Sequence, residues 1–208
     1  VWDYFGPIQE DVQMRVNRNV SRAIAVPASA ILALVLLTGV QAAQDGGLNI
    51  RINNFGTVNE KLYRGAQPNK RDLTDLASLG VKTVIDLQED GQRDEQQSVE
   101  AAGMKYYRIG LRDNAWPTSE QAQQFLNIVD DPTNQPVFIH CHGGRHRAGA
   151  MTAIYRMTHD GWSADQAYAE MKQYEFDRGF GHGALKDYVY DYFGHMSQKG
   201  VATASASR

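Results

Sequence analysis

From residue 56 onward, short apolar runs alternate with longer segments whose apolar positions recur at helical spacing, and that alternation predicts the elements. "NKRDLTDLASLG" sets Leu73, Leu76 and Leu79 on one helical face and stops at Gly80, so residues 69–80 read as a helix. "VKTVIDL" (81–87) follows as a buried strand, "RDEQQSVEAAG" (93–103) as a more polar helix stopped by Gly103, and "MKYYRIGL" (104–111) as a second strand. After the loop "RDNAWP", Thr118 caps a helix through "SEQAQQFLNIV", with Gln121 placed to complete a capping box. "QPVFIH" (135–140) is the third strand of this series. Three helices come next: "AGAMTAIYRMTH" (148–159), "SADQAYAEMKQYEF" (163–176) capped by Ser163, and "ALKDYVYDYFGHM" (184–196). Tyr188, Tyr190, Tyr192 and Phe193 on the last read as core. Upstream, "GTVNEKLYRGAQP" (56–68) reads as one extended segment ending in a turn, and "VATASASR" (201–208) as a disordered tail.

Strands alternating with helices at this spacing predict an α/β fold with a central, largely parallel sheet flanked by helices. Sites in such sheets lie beyond the carboxyl ends of the strands. The only cysteine of the chain, Cys141, falls there.

Composition narrows the class without naming it. Apolar residues make up 42% of the 208 and charged residues 22%, the balance of a globular protein. A net charge of −3 with no long basic run excludes a general nucleic-acid binder, so any anion site must be local. The N-terminal region differs in character. Arg15, Arg18 and Arg22 precede the uncharged stretch Ala23 to Val40, and "QAAQDGG" follows. This order reads as a secretory signal peptide starting at Met14, with a mature chain from about Ala43. The expected organisation is therefore 1–42 as extension plus signal, 43–200 as one domain and 201–208 as tail. Export would place the domain in the periplasm or outside the cell. The alternative is an uncleaved inner-membrane anchor, which would make the membrane a partner, again with the domain outside the cytoplasm. A single cysteine forms no internal disulfide, so its placement needs another explanation.

The loop "HCHGGRHRAG" (140–149) supplies one. A strand-to-helix junction with Gly143, Gly144 and Gly149 lets successive backbone N–H groups converge, and the helix start adds its positive end. Such a cradle holds an anion and favours the thiolate of Cys141 over the thiol. Arg147, separated from Cys141 by five residues, offers a planar fork matched to two phosphate oxygens.

These residues resemble the signature of the cysteine-dependent protein tyrosine and dual-specificity phosphatases, in which His-Cys is followed by five residues, an Arg, a Ser or Thr, and a Gly. "LYRGAQP" (62–68) and "LGVKTVIDL" (79–87) extend the resemblance over most of 56–176, and "GRHR" looks like the atypical plant and fungal dual-specificity phosphatases, some of which act on inositol pyrophosphates, and their bacterial relatives. The resemblance implies a dual-specificity-phosphatase-like fold with a strand, phosphate loop and helix at its active site. It also implies phosphomonoester or phosphoanhydride hydrolysis through a cysteinyl-phosphate on Cys141, with Arg147 and the loop amides holding the phosphoryl group and no metal or cofactor. His140 would tune the thiol. Asp113 in "LRDNAWPT" is the candidate general acid, against a plain turn-forming role; Asp86, inside a strand, is the weaker alternative. His142, Gly143, Gly144, Arg145 and His146 would line the substrate. The additional cations there suit a polyanion such as an inositol polyphosphate, while a phosphotyrosine or phosphoprotein substrate stays open. Ala148 departs from the pattern, standing where the family has Ser or Thr, a hydroxyl associated with release of the thiolate. Its absence keeps a second class in view, a weakened phosphate-binding pseudo-phosphatase. A buried structural cysteine, a zinc site on His140, Cys141, His142 and His146, and a sulfur-transfer loop are poorer fits. Adjacent His-Cys-His ligands do not wrap a tetrahedral ion, and neither other reading explains the following Arg.

Overall fold

Asn69 opens the first helix because its side-chain oxygen accepts the N–H groups of Arg71 and Asp72 (2.9 and 3.1 Å), while Asp72 accepts the Asn69 N–H in return (2.9 Å). Equivalent reciprocal caps form at Thr118 with Gln121 and at Ser163 with Gln166. The computed structural model describes residues 50–206. In chain order its elements are β1 (Gly56–Asn59), β2 (Leu62–Ala66), α1 (Lys70–Ser78), β3 (Thr83–Gln88), α2 (Glu95–Ala101), β4 (Lys105–Leu111), α3 (Ser119–Asp130), β5 (Val137–Cys141), α4 (His146–His159), α5 (Ala164–Gln173) and α6 (Gly183–Ala206). The basic and apolar segment read as a signal or anchor lies outside the described residues. Among those described, no helix is long and apolar enough to cross a membrane.

The five strands pair in the order β1-β2-β5-β3-β4, parallel except for the antiparallel β1/β2 pair. Central strands are buried on both faces, which is why they read as continuous apolar runs. On one face Leu73 and Leu76 of α1 and Val99 of α2 meet Val84 and Phe138. On the other, Ile85, Ile109, Ile139 and Cys141 meet α3, α4, α5 and α6. Phe125 and Phe138 are fully buried, each burial contributing roughly 1.5–3 kcal/mol by area. β5 is the middle strand, so Cys141 at its carboxyl end is flanked by the ends of β2 and β3.

Four expectations need correction. Residues 56–68 form two strands folded back on each other, because Asn59 accepts the Lys61 N–H through its side chain (2.9 Å) and turns the chain. α4 starts at His146 instead of Ala148, which brings Arg147 into its first turn. The aromatic set of α6 divides: Tyr188 is buried and Tyr192 and Phe193 pack on the core, but Tyr190 is 38% exposed and donates to Asp165 (2.7 Å). Positions 188 and 192 share a helix face while 190 lies nearly opposite. α6 itself continues to Ala206, taking in most of the segment read as a tail.

Candidate active site

The loop between β5 and α4 is shaped by what grips its carbonyl groups. The His142 carbonyl accepts the Gln67 N–H (3.3 Å), the Gly143 carbonyl accepts Asn54 Nδ2 (2.8 Å), and the Gly144 carbonyl accepts Arg64 Nη2 (2.6 Å). In a trans peptide the N–H points opposite to the carbonyl. Drawing three successive carbonyls toward the β1–β2 side therefore turns the N–H groups of Gly143, Gly144 and Arg145 the other way, into a shared concavity. Gly144 has a positive φ of 65°, and a Cβ there would lie 2.5 Å from the Gly65 carbonyl carbon, so only glycine fits. Cys141 is a free thiol, 2% exposed, at the base of this loop.

Arg147 is also nearly buried, with Nη1 donating to the Leu111 carbonyl (3.3 Å). Its Nε lies 3.0 Å from Asp113 Oδ1, an ion contact made off the N–H axis, and Asp90 stands 4.0 Å from Nη1. The structure thus brings the expected acid and the expected clamp together. Asp113 sits on the loop after β4 with its side chain 45% exposed, where a leaving group can reach it. Asp86 is unsuited to that role: it is fully buried and taken by Arg108 Nε (2.9 Å), the Tyr106 hydroxyl (3.1 Å) and the Gln88 N–H (2.9 Å). Burial and the Asp86 carboxylate together push the Tyr106 phenol up.

Other expected residues take different places. His140 is fully buried, stacked on Phe138, with Nε2 2.9 Å from Glu95 Oε1. Glu95 also accepts from Gln67 Nε2 (2.6 Å), and Gln67 accepts from Gln88 Nε2 (2.5 Å), so a buried polar chain runs from His140 to Asp86. Arg145 is not a free cation, because its Nε pairs with Glu175 (2.9 Å), which also holds Arg178 (2.6 Å). His146 faces inward, stacked on His182 with centroids 3.3 Å apart and its Nε2 donating to the Arg178 carbonyl (3.1 Å). His142 alone of the additional cations is exposed. A cleft of about 490 Å³ opens over Arg147 and Asp113, lined also by Glu89, Asp90, Arg112 and Phe180, the last 99% exposed.

Two groups of side chains bear on metal binding. Asp86, Glu95 and His140 have donor atoms within 4.8 Å of one another, but both Asp86 oxygens are already engaged by protein donors. Asp113, His146 and His182 form the second group. Their imidazole planes are only 13° apart, so the in-plane lone pairs run side by side instead of converging on one ion.

Burial, and then the neighbouring His182, hold His146 below the ordinary histidine range, with Asp113 opposing. The unfolded chain therefore takes up a proton before the folded one. The stability linked to His146 is complete above about pH 6.5 and is lost as pH falls through the lower folded value. Thermal denaturation at pH 5 should give a lower midpoint than at pH 7.5, and His146→Gln should flatten that difference; an unchanged pH slope would contradict the assignment.

Asn54, Arg64, Gln67 and Glu95 were not identified from sequence as parts of the site. "LYRGAQP" was noticed only for its resemblance, and nothing local says that its arginine turns inward to the loop. Comparison with known proteins places the arrangement. Residues 49–184 match the profile of the family described as "DSP-PTPase phosphatase fused to NAD+ Kinase". Inositol diphosphatase SIW14 of Saccharomyces cerevisiae is 28% identical over 131 residues, 60% of this chain but 46% of the yeast protein. "Probable tyrosine-protein phosphatase DG1060" of Dictyostelium discoideum is 32% identical over 126 residues, 58% of this chain and 75% of that protein. Among solved structures, the core catalytic domain of yeast SIW14 in complex with citrate has a TM-score of 0.61 at 24% identity, covering 74% of this chain and 94% of that one. P. aeruginosa TpbA has a TM-score of 0.58 at 25% identity, covering 66% and 83%. The chain belongs to this DSP-PTPase family, and the matched span takes in Cys141, Arg147, Asp113 and the strand that carries Arg64.

Proposed function

We propose that the chain hydrolyses phosphate esters through a covalent cysteinyl-phosphate on Cys141. The observation that carries this reading is the outward tether of carbonyls 142–144, which turns three successive N–H groups into one concavity in a loop that starts at Cys141 and ends with Arg147 in the first turn of α4. A phosphoryl group bound there takes over Arg147 and releases Asp113. Cys141 Sγ attacks phosphorus, the S–P bond forms as the P–O bond breaks, and Asp113 gives its proton to the leaving oxygen. Water then attacks phosphorus, Asp113 takes a proton back, and phosphate departs with the thiolate restored. The amides and Arg147 meet the charge on the transferring group in both steps.

For the substrate, a phosphotyrosine or phosphoprotein suits the cleft better than an inositol polyphosphate. Glu89, Asp90 and Asp113 offset Arg112 and Arg147 at the mouth, and Glu175 neutralises Arg145. Phe180 offers an aromatic face at the rim. Relatives are named for both classes, inositol diphosphatase in yeast and tyrosine-protein phosphatase in Dictyostelium, and a cysteine-to-serine variant of TpbA was solved with pTyr. Phosphate release from an aryl phosphate, a phosphotyrosine peptide and inositol hexakisphosphate tests this ordering; preference for the inositol compound would reverse it. Asp113→Asn on the same panel should slow alkyl phosphates by about 10²-fold or more and spare good leaving groups, with the high-pH fall in rate removed. An unchanged rate on alkyl phosphates would take Asp113 out of the role.

Ala148 favours a second reading. It is fully buried, and the nearby Thr152 hydroxyl is spent on the Ala148 carbonyl (2.7 Å), so that hydroxyl does not replace the one the family carries at 148. Slow breakdown of the phosphoenzyme follows, which at its limit is a phosphate-binding module. Ala148→Ser is expected to speed breakdown several-fold, read by burst kinetics; equal burst and steady-state rates in both proteins would remove this explanation.

A further inference from the structure

Arg64 is an unusual residue to find inside a protein, because its cation is sealed from water and, among the described residues, makes no direct ion pair, Glu170 acting on it only at longer range. The side chain is fully buried, and it is among the largest fully buried side chains of the fold. Register between β2 and β5 sets Arg64 beside Ile139 and Ala66 beside Cys141. Side chains alternate along strands, so Arg64, Ile139 and Cys141 emerge on one face of the sheet. There the guanidinium lies 4.0 Å over the Tyr174 ring and gives one hydrogen bond, from Nη2 to the Gly144 carbonyl at 2.6 Å. Nε and Nη1 are buried with no hydrogen-bond partner.

The surroundings are built to keep it there. Gly56 leaves the room that Tyr174 fills, since a Cβ at 56 would overlap the phenol oxygen. Gly144 likewise lies against the backbone of Gly65 and Ala66, the two residues that follow Arg64. A methionine or leucine at 64 would fill comparable space without desolvating a charge, so packing alone does not account for arginine. Burial lowers Arg64 to about 10, with Tyr174, Cys141 and Glu170 opposing, and the side chain keeps its charge at neutral pH. The proposed reaction would bring further negative charge toward it, in the thiolate and the phosphoryl group.

We propose that Arg64 is a positioning residue of the phosphate loop. It turns the peptide between Gly144 and Arg145 so that the Arg145 N–H faces the phosphate, and its sealed charge supports the thiolate and bound phosphate from the side away from solvent. The proposal rests on the phosphatase reading of the loop, yet its test does not depend on turnover. Cys141 is the only cysteine, so alkylation by iodoacetamide reports on that thiol alone. The alkylation rate is followed against pH, with and without inorganic phosphate as a protecting ligand, in the full chain and in Arg64→Met and Arg64→Lys. Arg64→Met is expected to move the pH of half-maximal alkylation upward by about one unit, a tenfold change in thiolate stability, and to weaken phosphate protection by roughly tenfold. Arg64→Lys keeps the charge but loses the planar fork, so its pH midpoint should stay near the parent while phosphate protection still weakens several-fold. A folded Arg64→Met protein with the parent's pH midpoint and phosphate protection overturns the proposal. If Arg64→Met does not fold, Arg64→Lys decides: unchanged phosphate protection overturns it as well. Failure of the phosphatase reading looks different, as absence of phosphate release by the parent with both alkylation readouts still dependent on Arg64.

Discussion

Cys141→Ser is expected to lower phosphate release by about 10⁴-fold or more while inorganic phosphate still binds within about tenfold of the parent affinity. The two halves of this result come from different parts of the structure. On the covalent mechanism turnover needs a nucleophile that ionises in the cradle, and a serine hydroxyl placed there keeps its proton because an alcohol is a far weaker acid than a thiol. Binding needs the N–H groups of 143–145 and the Arg147 fork, and the tethers that orient them run to Gln67, Asn54, Arg64 and the Leu111 carbonyl, none of which involves sulfur. Calorimetry with phosphate, beside release from an aryl phosphate, measures both. Retention of full activity in the serine variant would end the covalent mechanism. Loss of phosphate affinity with the fold intact would say that the anion site lies elsewhere.

Arg147→Lys is expected to cost on the order of 10²- to 10³-fold in kcat/KM, although the charge is conserved. Arg147 presents two nitrogens at separate tasks, Nη1 on the Leu111 carbonyl and Nε toward Asp113, within a nearly closed pocket. A lysine ammonium is a point charge that cannot hold the carbonyl and two phosphate oxygens in one plane. On the proposed mechanism the change also disturbs the hand-over by which bound phosphate would release Asp113, so the deficit should be larger for poor leaving groups than for aryl phosphates. A variant within threefold of the parent on both kinds of substrate would show that the fork geometry is unimportant.

The helices were legible wherever local chemistry closes on itself. Thr118 with Gln121 and Ser163 with Gln166 cap within four residues, and both caps form as their spacing implies. Cys141, the glycines and Arg147 were legible for a related reason: the cradle is contiguous, so sequence order is already spatial order. The hairpin at 56–66 escaped notice because Asn59 was not weighed as a turn former. The partners of the additional cations were not legible because charge in a sequence carries no sign of its partner. Arg145 meets Glu175 thirty residues on, and His146 meets His182 in the segment that follows α5.

By itself the sequence determined that this is a strand-and-helix protein with a cysteine, three glycines and an arginine gathered in one strand-to-helix loop, since periodicity, capping and glycine placement act over short range. Only the tertiary structure decided which way the loop amides point, where Asp113 rests and which cations are paired. Those depend on Asn54, Arg64, Gln67 and Glu175, held against the loop by parallel pairing of β2 with β5 and by the chain reversal after α5. The orientation of a peptide plane is set by the partner its carbonyl meets, and here every such partner arrives from more than 70 residues away along the chain.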